Sequence, residues 1–597
     1  MKDNSHSNIV VLHNTHKPYV RGGDYYPLYI PGVGTAFPKI GEMHESADGK
    51  SQAVGGEARI HYAMIQIYNA VHRAVFQDSL LVSDDDALSD VNSYAQLKNA
   101  WTLSGNKRRG YFKRLGHRLE NAILNKKPQV IQINISIFGF SRGAAQARTF
   151  SNWLLECCKG SGTDYKFCGI PIKFQFLGIF DTVASVGLAD ASPTSSGLMD
   201  WADGTMDIPK AIARTVHYVA AHEVRQNFPL SSARSGKAYP GNCIEVVYPG
   251  AHSDVGGGYG PGEQGKAMAG RDHMASQIPL VSMYLEAMKS GVPLRTVQEL
   301  EKAQDGRTIA NLKITPTLAE RFKAYVEWTN VQPKKVESML VDNMRHYWHW
   351  RWRHVYKLRE LPSYKSANAQ DKDDMEAGNE DFKVSLREVD RLESDNNLRK
   401  NYPVFMRTYD VYKDIVNGLG FIAKSAPVVR AAVYTATLND EKVDPLAVAL
   451  ALHDRKNYDE PLRVHEFFDQ HIHDSHASFR LLGPLTLEER LAVIKNVKEK
   501  HRKWEQSYKY PHAHGGVQPK LNPLEQRIFD LRQENELKYV KKEDADRLGD
   551  LPVMHDSDLD DLRAMTGFVD DWAVRLITKG RRESGSFLRL RKVFDES

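Results

Sequence analysis

Apolar positions in the first 295 residues follow two rhythms in alternation. Ile60, Met64, Ile67, Val71 and Val75 recur every three or four residues, which predicts an amphipathic helix over 56–76. Leu115, Leu119 and Ile123 mark a second helix, and 144–158 reads as a third. Between them lie short runs with little polar interruption: 130–138, dense in isoleucine, then 172–180 and 244–248. Such runs suit strands covered on both faces. Tyr29-Ile30 with Pro31-Gly32-Val33-Gly34-Thr35 reads as a further strand entering a glycine turn. Strands separated by helices predict the α/β class, a parallel sheet with helices on both faces.

Beyond about residue 295 the rhythm becomes that of long charged helices, such as 485–504. The chain therefore divides into an α/β unit over 1–295 and a mostly helical second domain over 296–597, a candidate for membrane or partner association. Within the second, 363–381 is polar and nearly free of apolar residues, which predicts a flexible loop. Within the first, 187–240 is long for a strand connection and has a helix-like part near 208–222. It reads either as a lid insert or as a crossover helix with surface loops.

Composition narrows the classes. Of 597 residues 41% are hydrophobic and 26% charged, which fits a packed globular core and excludes a disordered or collagenous chain. A net charge of +5 is small for this length and argues against nucleic-acid binding by bulk charge. Cys157, Cys158, Cys168 and Cys243 have neither the number of a disulfide framework nor the spacing of a zinc site. The start lacks the three regions of a secretory signal, and no run reaches the roughly 18 apolar residues of a membrane span. Synthesis as a soluble cytoplasmic product is expected.

The sharpest chemical signal is Gly139-Phe140-Ser141-Arg142-Gly143, a G-x-S-x-G pattern between the isoleucine strand and a helix. In that setting small neighbours permit a strained turn that lifts a serine hydroxyl above the sheet as a nucleophile. The serine needs a base, and the base needs an acid to fix its tautomer. The run 172–180 delivers Asp181, and 244–248 delivers His252, which three glycines follow at Gly256-Gly257-Gly258. Both candidates emerge at strand C-terminal ends, where α/β sheets place their sites. Asp254 competes with Asp181 as the acid, and the strand-end position favours Asp181. The order Ser141, Asp181, His252 is that of the α/β-hydrolases, which sharpens the expected fold to an α/β-hydrolase-like sheet. One oxyanion donor would be the backbone N–H of Arg142, and the turn Gly32-Val33-Gly34 is the candidate for the second. This machinery requires no cofactor and no metal. It needs a neutral His252, so activity is expected to fall below about pH 6.

Together these motifs resemble the catalytic domain of type VI secretion phospholipase effectors, the first lipase-effector class. The resemblance rests on Gly139–Ala144, the turn 31–35, Asp181-Thr182-Val183 and the stretch 252–258. It extends to Ala221-His222-Glu223-Val224-Arg225, Phe228-Pro229-Leu230, His473-Asp474-Ser475 and the C-terminal Phe587-Leu588-Arg589-Leu590-Arg591-Lys592-Val593-Phe594. The chain departs from the family at its start. Ser7-Asn8-Ile9-Val10 matches a family segment, but the strand with a Phe-Asp-Gly-Thr motif that normally precedes it is absent. The resemblance implies phospholipase A-type cleavage of glycerophospholipid acyl esters, with Ser141, Asp181 and His252 as nucleophile, acid and base. It also implies an antibacterial role with delivery to the periplasm or membrane of a target bacterium. The implied partners are a VgrG-type spike protein and a cognate immunity protein, with no nucleic acid.

Other features admit more than one reading. Trp348, Trp350 and Trp352 mix with Arg351 and Arg353, as at a membrane interface, as a base-stacking surface for nucleic acid, or as core tryptophans whose neighbouring arginines reach solvent. Lys107, Arg108, Arg109, Lys113, Arg114 and Arg118 suit lipid phosphates or a solvated helix face. His465, Asp469, His471, His473, Asp474 and His476 are crowded enough to raise a metal-dependent phosphoesterase as an alternative. A non-catalytic lipid- or partner-binding module is the other alternative.

Overall fold

The computed structural model describes residues 5–44, 55–96, 104–184, 206–225, 228–236, 238–394, 458–477, 487–534, 565–566, 587–588 and 590–596. A six-stranded sheet organises the first half. Its strands are β1 (Ile133–Phe140), β2 (Cys158–Ser161), β3 (Asp164–Phe167), β4 (Ile170–Phe180), β5 (Thr215–Ala220) and β7 (Cys243–Tyr248). β1, β4, β5 and β7 run parallel, with Phe140 beside Phe180, Phe180 beside Tyr218, and Tyr218 beside Val246. Their C-terminal ends therefore lie along one edge. The hairpin β2–β3 adds antiparallel to the start of β4, so the sheet is mixed rather than wholly parallel. A separate parallel pair joins β6 (Leu230–Ser235) to β8 (Val593–Glu596).

The isoleucines explain why β1 sits where it does. Ile133, Ile135 and Ile137 face one core, with the helices Gly56–Phe76, Ser104–Ile123 and Arg142–Glu156. Phe138 and Phe140 face the other, with the helices Asn8–Thr15 and Gln277–Lys289. β4 serves the same two cores, but its register shifts once, because Ile135 and Ser136 of β1 oppose Phe174 and Phe176. Gln175 is the extra residue, and it exchanges the faces: Ile172 and Phe174 lie in the first core before it, Leu177 and Ile179 after it. A one-residue bulge does this because side chains alternate with period two.

The structure corrects several sequence expectations. Tyr29-Ile30 forms no strand. The lid candidate contains β5, a fully buried central strand, where the sequence suggested a helix near 208–222. It also contains β6, and residues 185–205 of that candidate lie outside the described ones. The loop expected over 363–381 is the helix Pro362–Ser366 followed by Ala369–Ser394. Met375, Phe382 and Leu386 place one face of the longer helix in a core, a spacing too sparse to read as a stripe.

That core belongs to the second half. It gathers the helices Pro316–Thr329, Val336–His354 and Leu462–His471 with Phe587 and Leu588, and takes in Val224 and Ala275 of the first half. Trp348 and Trp350 are buried in it and Trp352 packs against it half-buried, so these tryptophans are not an exposed membrane surface. Trp348 Nε1 donates to Phe587 O at 3.1 Å. No described helix is long and apolar enough to cross a membrane.

Candidate active site

Ser141 follows β1 and stands at the N-cap position of the helix Arg142–Glu156 with φ 60° and ψ −126°, a conformation costly for a residue with a side chain. Its surroundings enforce that turn. Ser141 N donates to Phe180 O at 3.0 Å, and Ala144 N donates to Ser141 O at 3.0 Å. Gly139 is required, because a Cβ there would lie 2.4 Å from Gly143 O and 2.6 Å from Ala144 Cα. Gly143 faces open space. The helix's buried Arg148 anchors the other end of the arrangement, donating to Met206 O, Ser231 O and Ser232 O at 2.6–3.1 Å. As the first helical residue, Arg142 has a backbone N–H with no carbonyl in its own helix to bond.

Asp181 follows β4 and His252 follows β7, at the same sheet edge. Asp181 Oδ2 and His252 Nδ1 are 2.5 Å apart and both residues are buried. Burial by itself would raise the Asp181 pKa. The Arg591 charge and the His252 hydrogen bond outweigh it and hold the carboxyl well below the usual carboxylate range. An ionised carboxylate only accepts, so Nδ1 carries the imidazole proton and the Nε2 lone pair is left for a substrate-side proton. Burial lowers the His252 pKa below its ordinary value, against the opposing pull of Asp181. The ring is held from its sides by Phe140 and Phe228, at centroid distances of 4.5 and 5.0 Å. Ser141 Oγ makes no hydrogen bond to His252 in this structure; the elbow reaches the pair through its backbone and the Phe140 ring.

The competing acid has another partner. Asp254 accepts from Ala251 N at 3.0 Å and from His473 N at 2.9 Å, and lies 2.6 Å from His473 Nδ1. It fastens the loop that carries His252 to the second half of the chain. The glycine turn is also built. Arg59 is fully buried and donates to Pro31 O at 2.9 Å, Thr35 O at 2.8 Å and Gly55 O at 3.2 Å, and it pairs with Glu42 at 2.7 Å. Gly34 adopts φ 82° in this turn, a value suited to glycine. Burial, with the charge of Arg59, lowers the Arg142 guanidinium to about 10.

Residues 158–286 match the family description "T6SS, Phospholipase effector Tle1-like, catalytic domain". This stretch is thus similar to the catalytic domain of the family that the motifs resemble. The matched stretch contains Asp181 and His252 and begins after Ser141. A crystal structure of an uncharacterized protein from Pseudomonas aeruginosa is similar at 26% identity and a TM-score of 0.59, covering 80% of this chain and 76% of that one. A structure of the Tle1 effector bound to the VgrG spike of the type VI system matches at 16% identity and a TM-score of 0.24, over 43% of this chain and 64% of that one. No curated protein matches this chain.

Around the Tle1-like segment the structure adds residues that sequence reasoning did not assign. Glu223 is buried and ionised. It pairs with Arg225 at 2.8 Å and accepts from His252 N at 3.3 Å, holding the backbone of His252. The Arg225 guanidinium lies 3.5 Å over the Phe228 ring, whose edge meets His252. Arg591 reaches Asp181 from the far end of the chain. Both arginines lie in segments that carried the family resemblance, the one signal that pointed to them.

The crowded histidines separate in space. His471 Nδ1 meets His273 O at 2.8 Å and His476 meets Asp381 at 2.7 Å. Asp469 accepts from Ser363, and Asp474 lies near Arg351 at 3.3 Å. His473 takes Asp254. Among the described residues, His354, Glu460 and His465 bring possible ligand atoms within 4.8 Å of one another. Arg353 donates to Glu460 at 2.7 Å and Trp350 Nε1 donates to His465 Nδ1 at 3.2 Å, so this trio sits in an ion-pair and hydrogen-bond cluster. Of the basic run, Arg108 is buried, paired with Glu156 at 3.0 Å and stacked 3.8 Å over Trp153.

Proposed function

We propose that this chain is a serine esterase of α/β-hydrolase type that cleaves acyl esters of membrane glycerophospholipids, acting as an antibacterial phospholipase A-type effector. The observation that carries the reading is the buried Asp181–His252 pair at the sheet edge where the strained Ser141 turn ends β1. The Tle1-like match over 158–286 supports the substrate class.

In this reading Ser141 Oγ attacks the ester carbonyl carbon while its proton passes to His252 Nε2. The developing oxyanion is met by the backbone N–H of Arg142 and by the turn Gly32-Val33-Gly34 that Arg59 holds. Collapse of the tetrahedral species breaks the ester C–O bond, and His252 returns the proton to the lyso-lipid alcohol. Water then attacks the acyl-enzyme with His252 again as base, releasing the fatty acid and restoring Ser141. Asp181 orients His252 and stabilises its transient positive charge. No step calls for a cofactor. Delivery by a VgrG-type spike into the periplasm of a target cell, and neutralisation by an immunity protein in the producer, complete the proposal.

The test is release of fatty acid and lyso-lipid from mixed phospholipid vesicles, followed by mass spectrometry. Release by the wild type that disappears in Ser141→Ala and persists with a chelator is the expected result. Release that survives Ser141→Ala, or that a chelator abolishes, overturns it.

A further inference from the structure

Arg591 makes four hydrogen bonds from a side chain that is 1% exposed. Nη1 and Nη2 donate to Asp181 Oδ1 and Oδ2 at 2.7 and 2.8 Å, a bidentate pair on the carboxylate that orients His252. Nη1 also donates to Ala220 O at 3.0 Å, and Nε donates to Phe228 O at 2.9 Å. Asp181 Oδ1 accepts a further bond from Ala220 N at 2.9 Å. Both carboxylate oxygens are thereby fixed, and the two backbone carbonyls fix the guanidinium.

The segment carrying Arg591 is placed by other means. Phe587 and Leu588 are buried in the second core, and β8 pairs with β6 through Leu230 beside Val593 and Ser231 beside Phe594. Leu230 N donates to Lys592 O at 2.9 Å, and Arg234 pairs with Asp595. This anchoring does not involve the guanidinium.

Charge balance gives the pair a chemical consequence. The groups facing the His252 ring and its acid are Asp181, Glu223, Arg225 and Arg591, with the Tyr259 hydroxyl beyond Arg225. Two carboxylates and two guanidiniums leave the buried cluster neutral when His252 is neutral, the form a general base requires. Without Arg591 the cluster carries one uncompensated negative charge, which favours taking up a proton on His252 or Asp181. Either proton removes the base or the control of its tautomer.

We propose that Arg591 is a positioning residue of the catalytic centre, so that the segment leading into β8 completes the active site by locking the orientation and ionisation of Asp181. The proposal rests on Ser141 being an activated nucleophile. The test therefore uses a fluorophosphonate, which reports that activation without a lipid: Ser141 Oγ bonds to phosphorus, fluoride leaves, and His252 takes the proton. Labelling rates across pH 4.5–9 are compared for the full-length wild type, Ser141→Ala, Arg591→Met and Arg591→Lys, each checked for folding by thermal denaturation.

Arg591→Met is expected to label at least ~10²-fold more slowly, the loss typical of a catalytic group displaced by about 1 Å, with the acid limb at higher pH. Arg591→Lys restores the charge without the bidentate geometry. It is expected to return the acid limb toward wild type while its rate stays depressed, and it remains informative if Arg591→Met fails to fold. A folded arginine variant with wild-type rate and acid limb overturns the proposal, as does a slower rate in both variants with an unmoved acid limb, which marks a purely structural role. A wild type that does not label at Ser141 overturns the nucleophile reading itself, an outcome distinct from both.

Discussion

The elbow makes a sharp demand on one atom position, and Gly139→Ala addresses it. The added Cβ would meet Gly143 O at 2.4 Å, Ala144 Cα at 2.6 Å and Ala144 N at 2.8 Å, where ordinary contact begins at 3.4 Å. All three are backbone atoms of the turn and its helix, so no side chain can swing aside. Relief requires the helix start to move by about 1 Å relative to β1, and Ser141 moves with it. Overpacking of this kind costs about 1–3 kcal/mol, and a displacement of that size at a nucleophile lowers kcat about 10²-fold. Gly143→Ala is the matched control. Its Cβ meets nothing within 4 Å, and in a helix alanine is favoured over glycine by up to about 1 kcal/mol. Chemical denaturation and short-chain ester turnover would be measured for both. Gly139→Ala should lose stability and turnover together, and Gly143→Ala should keep or gain stability. Wild-type stability and turnover in Gly139→Ala would refute the description of the elbow as a turn closed by backbone contact.

Burial pulls His222 down to about 3, and His61, His346 and His471 down to about 4, so these imidazoles are neutral when folded. The unfolded chain takes up their protons first as pH falls below about 6.5, so stability is complete above that value and declines toward pH 4, by at most about 1.4 kcal/mol per histidine per pH unit; a denaturation midpoint no lower at pH 5.5 than at pH 7.5 would contradict this. Arg59→Met removes the bonds to Pro31, Thr35 and Gly55 and the pair with Glu42. It should cost about 2–4 kcal/mol, read as a lower urea midpoint, and an unchanged midpoint would show that the glycine turn holds without it.

Local rules made much of the first half legible in the sequence. The helix Gly56–Phe76 follows from its apolar stripe, and β1, β4 and β7 follow from their apolar runs, but only β4 is largely buried. β1 is mostly half-buried, and β7, the last strand of the sheet, leaves Val246 exposed, because an edge strand has a neighbour on one side only. Ser141, Asp181 and His252 stood out because each ends or follows such a run. What one chain position cannot encode is its neighbour from elsewhere. β5 was hidden because Thr215, His217 and Tyr218 look polar until His217 meets Glu245 at 2.7 Å on the adjacent strand. The pairing of Asp254 with His473, and of Asp181 with Arg591, joins residues 219 and 410 positions apart. The crowded histidines scattered for the same reason: a helix and an extended segment aim consecutive side chains in different directions, each toward a partner set by packing. Periodicity reports which face of an element is buried. Which charged groups share that burial is decided when distant segments desolvate together, since a buried charge persists only beside a compensating one.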